Sequence, residues 1–188
     1  MRGWPLSEAC LQDLHQRDVV PHALGVGREA RIAHHFGQFK NFAETHPEVR
    51  LRRADCDVAI LGLGAMLPEA LRLSEMLERE GFHAAVINPR FAKPVDRDCV
   101  ADFGSRAGLI ITLEDHVLAG GFGSAVMETL NELDLSIPIV RIGWPDEFIE
   151  HGKVEALRAK YGLTAEAALE KARPHLNRLM EQVLAKHS

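Results

Sequence analysis

The sequence predicts an α/β fold of three layers, in which a mainly parallel sheet of about five strands has helices on both faces. Two observations support this prediction. Short apolar, β-branched runs alternate with amphipathic segments of about 10–15 residues, as expected for βαβ units. The chain of 188 residues is 46% hydrophobic and 26% charged, which is enough to bury a substantial core.

Residues 1–54 differ from the rest and are predicted to form a helical or irregular N-terminal extension, followed by the α/β domain over 55–188. The extension carries five of the ten histidines and shows no clear strand. Apolar residues spaced by three and four predict a helix over 29–44. We interpret His34 and His35 as part of a partly exposed helix rather than a metal site, because adjacent helical residues point in different directions.

The elements of the domain follow from its apolar runs and its helix signals. The predicted strands are 58–63, 83–87, 109–113 and 137–142. The predicted helices are 67–81, 96–106, 123–133, 153–161 and 164–186. Gly81 and Asp96 are placed to end one helix and cap the next, and Pro174 predicts a break or kink in the last helix.

Several classes of protein are disfavoured by composition. A formal net charge of -5 argues against a nucleic-acid binder, which usually has a basic face. No apolar run approaches the roughly 18 residues of a membrane span, and no apolar segment near the start is typical of a secretory signal. Cys10, Cys56 and Cys99 match no metal-ligand spacing. Sparse cysteines fit a reducing compartment, so we expect a cytoplasmic protein.

The richest polar segment follows the predicted strand 109–113. Glu114, Asp115 and His116 come first, and the glycine-rich loop 120–124 leads into the next helix. The three polar side chains could act as acid or base, and helix capping or surface salt links explain them equally well. Backbone N–H groups of the loop could cradle an anion. The phosphate-loop lysine is absent, which excludes a nucleoside triphosphatase. We favour instead a loop that needs glycine to pack against a neighbouring chain or domain.

Two further loops carry polar side chains at predicted strand ends. Asn88, Arg90 and Lys93 follow the second strand, and the two cations could hold an anion or pair with acidic neighbours. The segment that begins at Trp144 contains further polar residues, and its apolar members indicate a contact surface: Trp144, Phe148 and Ile149. The turn at 62–67 is a near miss to a dinucleotide fingerprint, and we interpret it as a tight strand-to-helix turn.

Taken together, these segments resemble a known family. DVAILGLGAMLPEAL, VINPRFAKPVD, the glycine-rich loop, IGWPDEFIEHG and ALRAKYGLT occur in the order seen at the C-terminus of 1-deoxy-D-xylulose-5-phosphate synthase. They resemble its third domain, the transketolase C-terminal domain, over about residues 55–176. Trp144 is a minor departure, because the synthase pattern usually has a small or aliphatic residue there.

The resemblance implies a part of an enzyme rather than a whole one. The complete family enzyme condenses pyruvate with glyceraldehyde 3-phosphate in the isoprenoid precursor route, using thiamine diphosphate and Mg²⁺. The Gly-Asp-Gly stretch that binds the diphosphate and metal does not occur in this sequence. No catalytic, cofactor-binding or metal-binding residue is therefore expected. The positions expected to serve a structural loop or an interface are Glu114, Gly120, Gly121, Phe122, Gly123, Arg90, Lys93, Asp146 and His151.

Two functions remain open at this point. The chain can be the C-terminal domain of a larger or split transferase, inactive alone and active with a chain that carries the thiamine-binding domains. Alternatively, it can be a non-catalytic regulatory module that pairs with a full-length thiamine enzyme. Both imply a homodimer or a complex with a partner chain.

Overall fold

The structure, a computed structural model, describes residues 56–186 and has the predicted α/β architecture. In chain order the elements are β1 Val58–Gly62, a 3-10 turn Gly64–Met66, α1 Leu67–Arg79, β2 Ala84–Ile87, α2 Arg97–Arg106, β3 Leu109–Val117, α3 Phe122–Glu132, β4 Ile139–Trp144, α4 Val154–Tyr161 and α5 Ala165–Lys186. The predictions for 1–54, including the helix over 29–44, His34, His35 and Cys10, lie outside the described residues. The boundary near residue 55 stays a prediction.

The sheet has the strand order β2-β1-β3-β4, and every neighbouring pair is parallel. Four strands are present among the described residues, against about five predicted. The chain moves outward from β1 to β2 and then crosses back to β3, so the order reverses between β1 and β3. In such sheets the carboxyl ends of the strands are the usual place for a site.

Helices cover both faces of the sheet. On one face, α1 packs on β1 and β2, and α5 packs on α1, β3 and β4. The alternate residues Val58 and Ile60 point into this core, as the period of two along a strand requires. On the other face, α3 packs on β3 and against α2. Burial on both faces explains why the strands are continuous apolar runs.

The turn between β1 and α1 has the tight form that we predicted. Gly64 has a φ of +59°, a conformation that favours glycine. At Gly62, a Cβ atom would lie 2.7 Å from the Cβ of Ala70, so the first turn of α1 needs glycine to approach the strand. The small residues of this segment thus serve close helix–strand packing.

The bounds of two predicted strands need correction, and the predicted break in the last helix is absent. β3 runs to Val117 instead of ending before Glu114, and β4 is Ile139–Trp144 instead of 137–142. The last helix shows no break, since Pro174 lies inside the continuous helix α5. Ala172 and Leu176 are buried on either side of Pro174, and this packing outweighs the local cost of proline.

Candidate functional site

Glu114 is the central residue of the carboxyl edge of the sheet. Its side chain is 0% exposed. Its two carboxylate oxygens accept hydrogen bonds from the backbone N–H groups of Phe122 (2.6 Å) and Gly123 (2.9 Å), the first two residues of α3. A carboxylate at this position also interacts favourably with the positive end of the helix dipole. Glu114 therefore caps α3 from a neighbouring strand.

An irregularity in β3 orients this carboxylate. Leu113 pairs with Ile142 and Val117 pairs with Trp144, so four steps along β3 face two steps along β4. Extra residues in one strand form a bulge, which changes the direction of side chains. As a result Glu114 is buried whereas Asp115 and His116 are exposed. The predicted acid–base trio therefore does not share a pocket.

Three glycines make room for the Glu114 side chain. A Cβ atom at Gly121 would lie 2.3 Å from Glu114 Oε2, and one at Gly123 would lie 3.0 Å from Oε1. A Cβ at Gly143, on β4, would lie 3.0 Å from Glu114 Cγ and 2.8 Å from the His116 carbonyl oxygen. Such distances are too short for any larger residue without movement. The loop thus needs glycine for close packing, as we favoured, but the group it packs against belongs to its own chain.

The same hydrogen bonds argue against the alternative in which the loop 120–124 binds an external anion. The N–H groups that could cradle an external anion already donate to Glu114. A phosphate or carboxylate brought to this helix terminus would also meet a buried carboxylate. The observed role is therefore helix capping, one of the explanations left open from sequence.

A second set of hydrogen bonds secures the loop between β3 and α3. Arg141 Nη1 donates to Ser124 Oγ (2.8 Å) and to the Leu118 carbonyl oxygen (3.1 Å), and Ser124 Oγ donates to the same carbonyl (2.8 Å). Thr112 lies beside this set and is fully buried, yet its hydroxyl has no hydrogen-bond partner within 56–186. The loop is held mainly by side chains of β4 and α3.

Asp115 makes a surface salt link, the other explanation left open from sequence. Its carboxylate accepts from Trp144 Nε1 (2.7 Å) and from Arg158 Nη2 (2.6 Å). The Trp144 ring is half-buried and packs edge-on against Tyr161, with ring centroids 5.7 Å apart. Trp144 therefore anchors β4 to α4, and the prediction that it belongs to an exposed contact surface is wrong.

The remaining predicted positions lie on other loops. Arg90 is half-buried, has a φ of +62°, and donates its backbone N–H to Asn88 Oδ1 (3.2 Å). Lys93, Asp146 and His151 are exposed. Only Glu114, Gly121, Phe122 and Gly123 are brought into direct contact by the fold, and Gly120 provides the adjoining turn with a φ of +66°.

Sequence reasoning missed the partners that β4 and α4 contribute. No pattern in the sequence indicated that three residues would lie beside this loop: Arg141, Gly143 and Arg158. Gly143 could have been noticed, because a lone glycine within a strand often marks a close approach of another chain segment.

Cys56 and Cys99 are both buried. Burial raises the pKa of the Cys56 thiol to about 11 and raises that of Cys99 as well. Such thiols are poor nucleophiles near neutral pH. Within 56–186, no three histidine, cysteine or acidic side chains are grouped so that they could hold a metal ion. None of the helices in this part is both long and apolar enough to span a membrane.

Residues 47–167 match the family model of the transketolase C-terminal domain. The chain belongs to this family. The described part agrees with the match, since β1 to α4 and the start of α5 lie within it.

The curated relatives are synthases. The chain is 63% identical over 122 residues to 1-deoxy-D-xylulose-5-phosphate synthase of Acidobacterium capsulatum, which covers 65% of this chain and 20% of that protein. It is 56% identical over 116 residues to the synthase of Methylacidiphilum infernorum, covering 62% of this chain and 18% of the relative. The chain thus spans about a fifth of the length of the synthases that it matches.

Solved structures show the same fold. A split-gene transketolase, described as an inactive beta4 tetramer, superposes with a TM-score of 0.61 and 36% identity, covering 70% of this chain and 45% of that one. A transketolase from Pichia stipitis has a TM-score of 0.51 at 16% identity, covering 71% of this chain and 18% of that one, which shows the fold alone.

Proposed function

We propose that this chain is the C-terminal domain of a 1-deoxy-D-xylulose-5-phosphate synthase-type transferase, and that it contributes to assembly rather than to the cofactor site. The observation that carries the proposal is 63% identity to a synthase, concentrated in a segment that is one fifth of that enzyme. Activity would then require a chain that carries the thiamine-diphosphate domains.

The geometry of the carboxyl edge supports a non-catalytic role. The helix terminus best suited to a diphosphate is occupied by the buried carboxylate of Glu114. Gly121 and Gly123 leave no room for another group at this terminus, because they already pack against that carboxylate. This helix terminus does not fit a diphosphate, so we assign the described residues no step of the reaction. Glu114, Gly120, Gly121, Phe122 and Gly123 would keep the loop rigid.

A partner chain is favoured over a self-sufficient enzyme. The solved split-gene relative is described as inactive when it forms a tetramer of its beta chain. By analogy, this chain alone would be inactive and would combine with a separate chain. We place Arg90, Lys93, Asp146 and His151 at the interface with that chain, because they lie on loops that follow strands β2 and β4.

The test is a native pull-down of the tagged, full-length chain from its source, followed by an assay of pyruvate and glyceraldehyde 3-phosphate condensation. We expect near-equal recovery of a chain with the Gly-Asp-Gly thiamine sequence. Turnover should occur with the pair and not with either chain alone. Turnover by this chain alone, or the lack of any thiamine-domain chain in a stable complex, would contradict the proposal.

A regulatory module would behave differently in the same assay. Such a module would bind a synthase that is already active and would change its rate or its oligomeric state. Full activity of the partner without this chain is therefore the result that distinguishes the two functions.

A further inference from the structure

The loop between β4 and α4, residues 145–152, carries an apolar side chain that the rest of the described chain does not cover. Phe148 is 89% exposed, and its ring has no aromatic contact within 56–186. Ile149 beside it is half-buried. A large aromatic side chain so exposed is costly to hydrate, and it is the kind of residue that dominates binding when it enters a pocket.

Carboxylates surround this aromatic side chain. Asp146 and Glu147 are exposed, and Glu147 interacts electrostatically with Lys160 of α4. Glu150 follows and pairs with Lys160 of α4. The tip of the loop, defined as 146–148, therefore presents one apolar side chain and two exposed negative charges.

Both ends of the loop are anchored, so the tip has a defined position. At its start, Trp144 donates to Asp115, which also accepts from Arg158 of α4. At its end, the Glu150–Lys160 pair ties the loop to α4. Binding through a pre-positioned side chain loses less conformational entropy than binding through a flexible one.

We infer that the 146–148 tip docks into an apolar pocket with a basic rim on the chain that carries the thiamine-diphosphate domains. This inference rests on the proposed function and adds the surface through which it works. The two exposed carboxylates indicate the chemistry of the pocket, because they would gain from lysine or arginine at its rim.

A second copy of this chain is a poorer occupant of the same surface. The chain has a net charge of -5, so a second copy offers the acidic tip a surface of the same overall sign. Like charges brought close to each other are unfavourable.

The experiment measures the dissociation constant of the full-length chain for the partner chain with the Gly-Asp-Gly sequence, by calorimetry at low and high salt. Phe148→Ala should weaken binding at least about tenfold. The double change Asp146→Lys and Glu147→Lys should weaken it and reduce its salt dependence. Met127→Ala is the matched control, since Met127 is 43% exposed on α3 and should leave affinity within about twofold.

The outcomes separate the two proposals. Wild-type binding that is unchanged in Phe148→Ala, with the same far-ultraviolet circular dichroism spectrum, would overturn the docking surface and leave the proposed function standing. No binding by the wild type would overturn both. A change in self-association of Phe148→Ala, with unchanged partner binding, would show that the occupant is a second copy and would also overturn the inference.

Discussion

Two polar loops follow neighbouring strands at the carboxyl edge of the sheet, and the fold uses them in opposite ways. Near the end of β3, the acidic residue Glu114 is buried and its oxygens accept hydrogen bonds from the loop that follows the strand. After β4, Asp146 and Glu147 remain exposed beside Phe148. The glycine-rich loop 120–124 resembles an anion-binding site in sequence. The side chains that are exposed and could contact a partner, however, lie on the loop 145–152.

The difference teaches that a glycine-rich segment before a helix need not bind an external anion. The same N–H groups attract any carboxylate that the fold can place there, including one from a neighbouring strand. Whether a group in the folded chain still lacks a hydrogen-bond partner is therefore a better guide to ligand binding than the sequence pattern alone. Four sets of substitutions test how far this comparison holds.

The largest effect is expected for Glu114→Ala. This change leaves the N–H groups of Phe122 and Gly123 buried without an acceptor and creates a cavity, so it should lower the free energy of unfolding by about 3–5 kcal/mol. Urea denaturation of the full-length chain measures it. Glu128→Ala is the control, because Glu128 is exposed on the same helix and should change stability by less than about 0.5 kcal/mol. Equal effects of the two changes would refute the capping role.

The glycines should differ among themselves. Gly121→Ala would place a Cβ 2.3 Å from Glu114 Oε2 and 2.4 Å from the Val117 carbonyl oxygen, so it should cost about 2–3 kcal/mol of stability. Gly120→Ala has open space around it but a φ of +66°, so it should cost about 1 kcal/mol. Thermal unfolding of both variants compares steric crowding with backbone strain. If Gly120→Ala were the more damaging, packing around Glu114 would not be what requires glycine.

Asp115→Ala tests the connection between the two loops. It removes the acceptor shared by Trp144 and Arg158, and it should lower stability by about 1 kcal/mol because these groups are partly exposed. Tryptophan fluorescence should also shift as Trp144 loses its partner. Trp4, the other tryptophan, can be changed to phenylalanine so that the signal comes from Trp144 alone. An unchanged spectrum would show that Asp115 does not hold the base of the 145–152 loop.

The smallest effect is expected for Thr112→Val. The Thr112 hydroxyl is buried without a partner, so replacing it by a methyl group of similar size should leave stability unchanged within about 0.5 kcal/mol or raise it slightly. Thr112→Ser keeps the hydroxyl and loses the methyl group, and it should cost about 1 kcal/mol. If valine were clearly the worse of the two, the hydroxyl would make a bond that stabilises the fold.

Periodicity and spacing predicted the fold and most of its elements, because each of those signals is local. The buried strands, the cap at Asp96 and the end of the first helix at Gly81 all follow from residues a few positions apart. Asp96 Oδ1 accepts from the backbone N–H of Cys99 (3.1 Å), as a capping residue should. The segments that resemble the synthase are likewise continuous stretches of sequence.

Whether a polar side chain is buried and hydrogen-bonded or stays exposed depended on contacts between segments that are distant in sequence. Glu114 reaches N–H groups eight and nine residues later only because a bulge in β3 turns it inward, and Gly143 of β4 must leave space for it. Trp144 and Phe148 have similar apolar character, yet one is held by Asp115 and the other is exposed. The sequence by itself determined the strands, the helices and the family. Only the tertiary structure decided which side chains form hydrogen bonds within the chain and which remain exposed to a partner. The reason is that burial and hydrogen bonding depend on neighbours that the chain brings together when it folds.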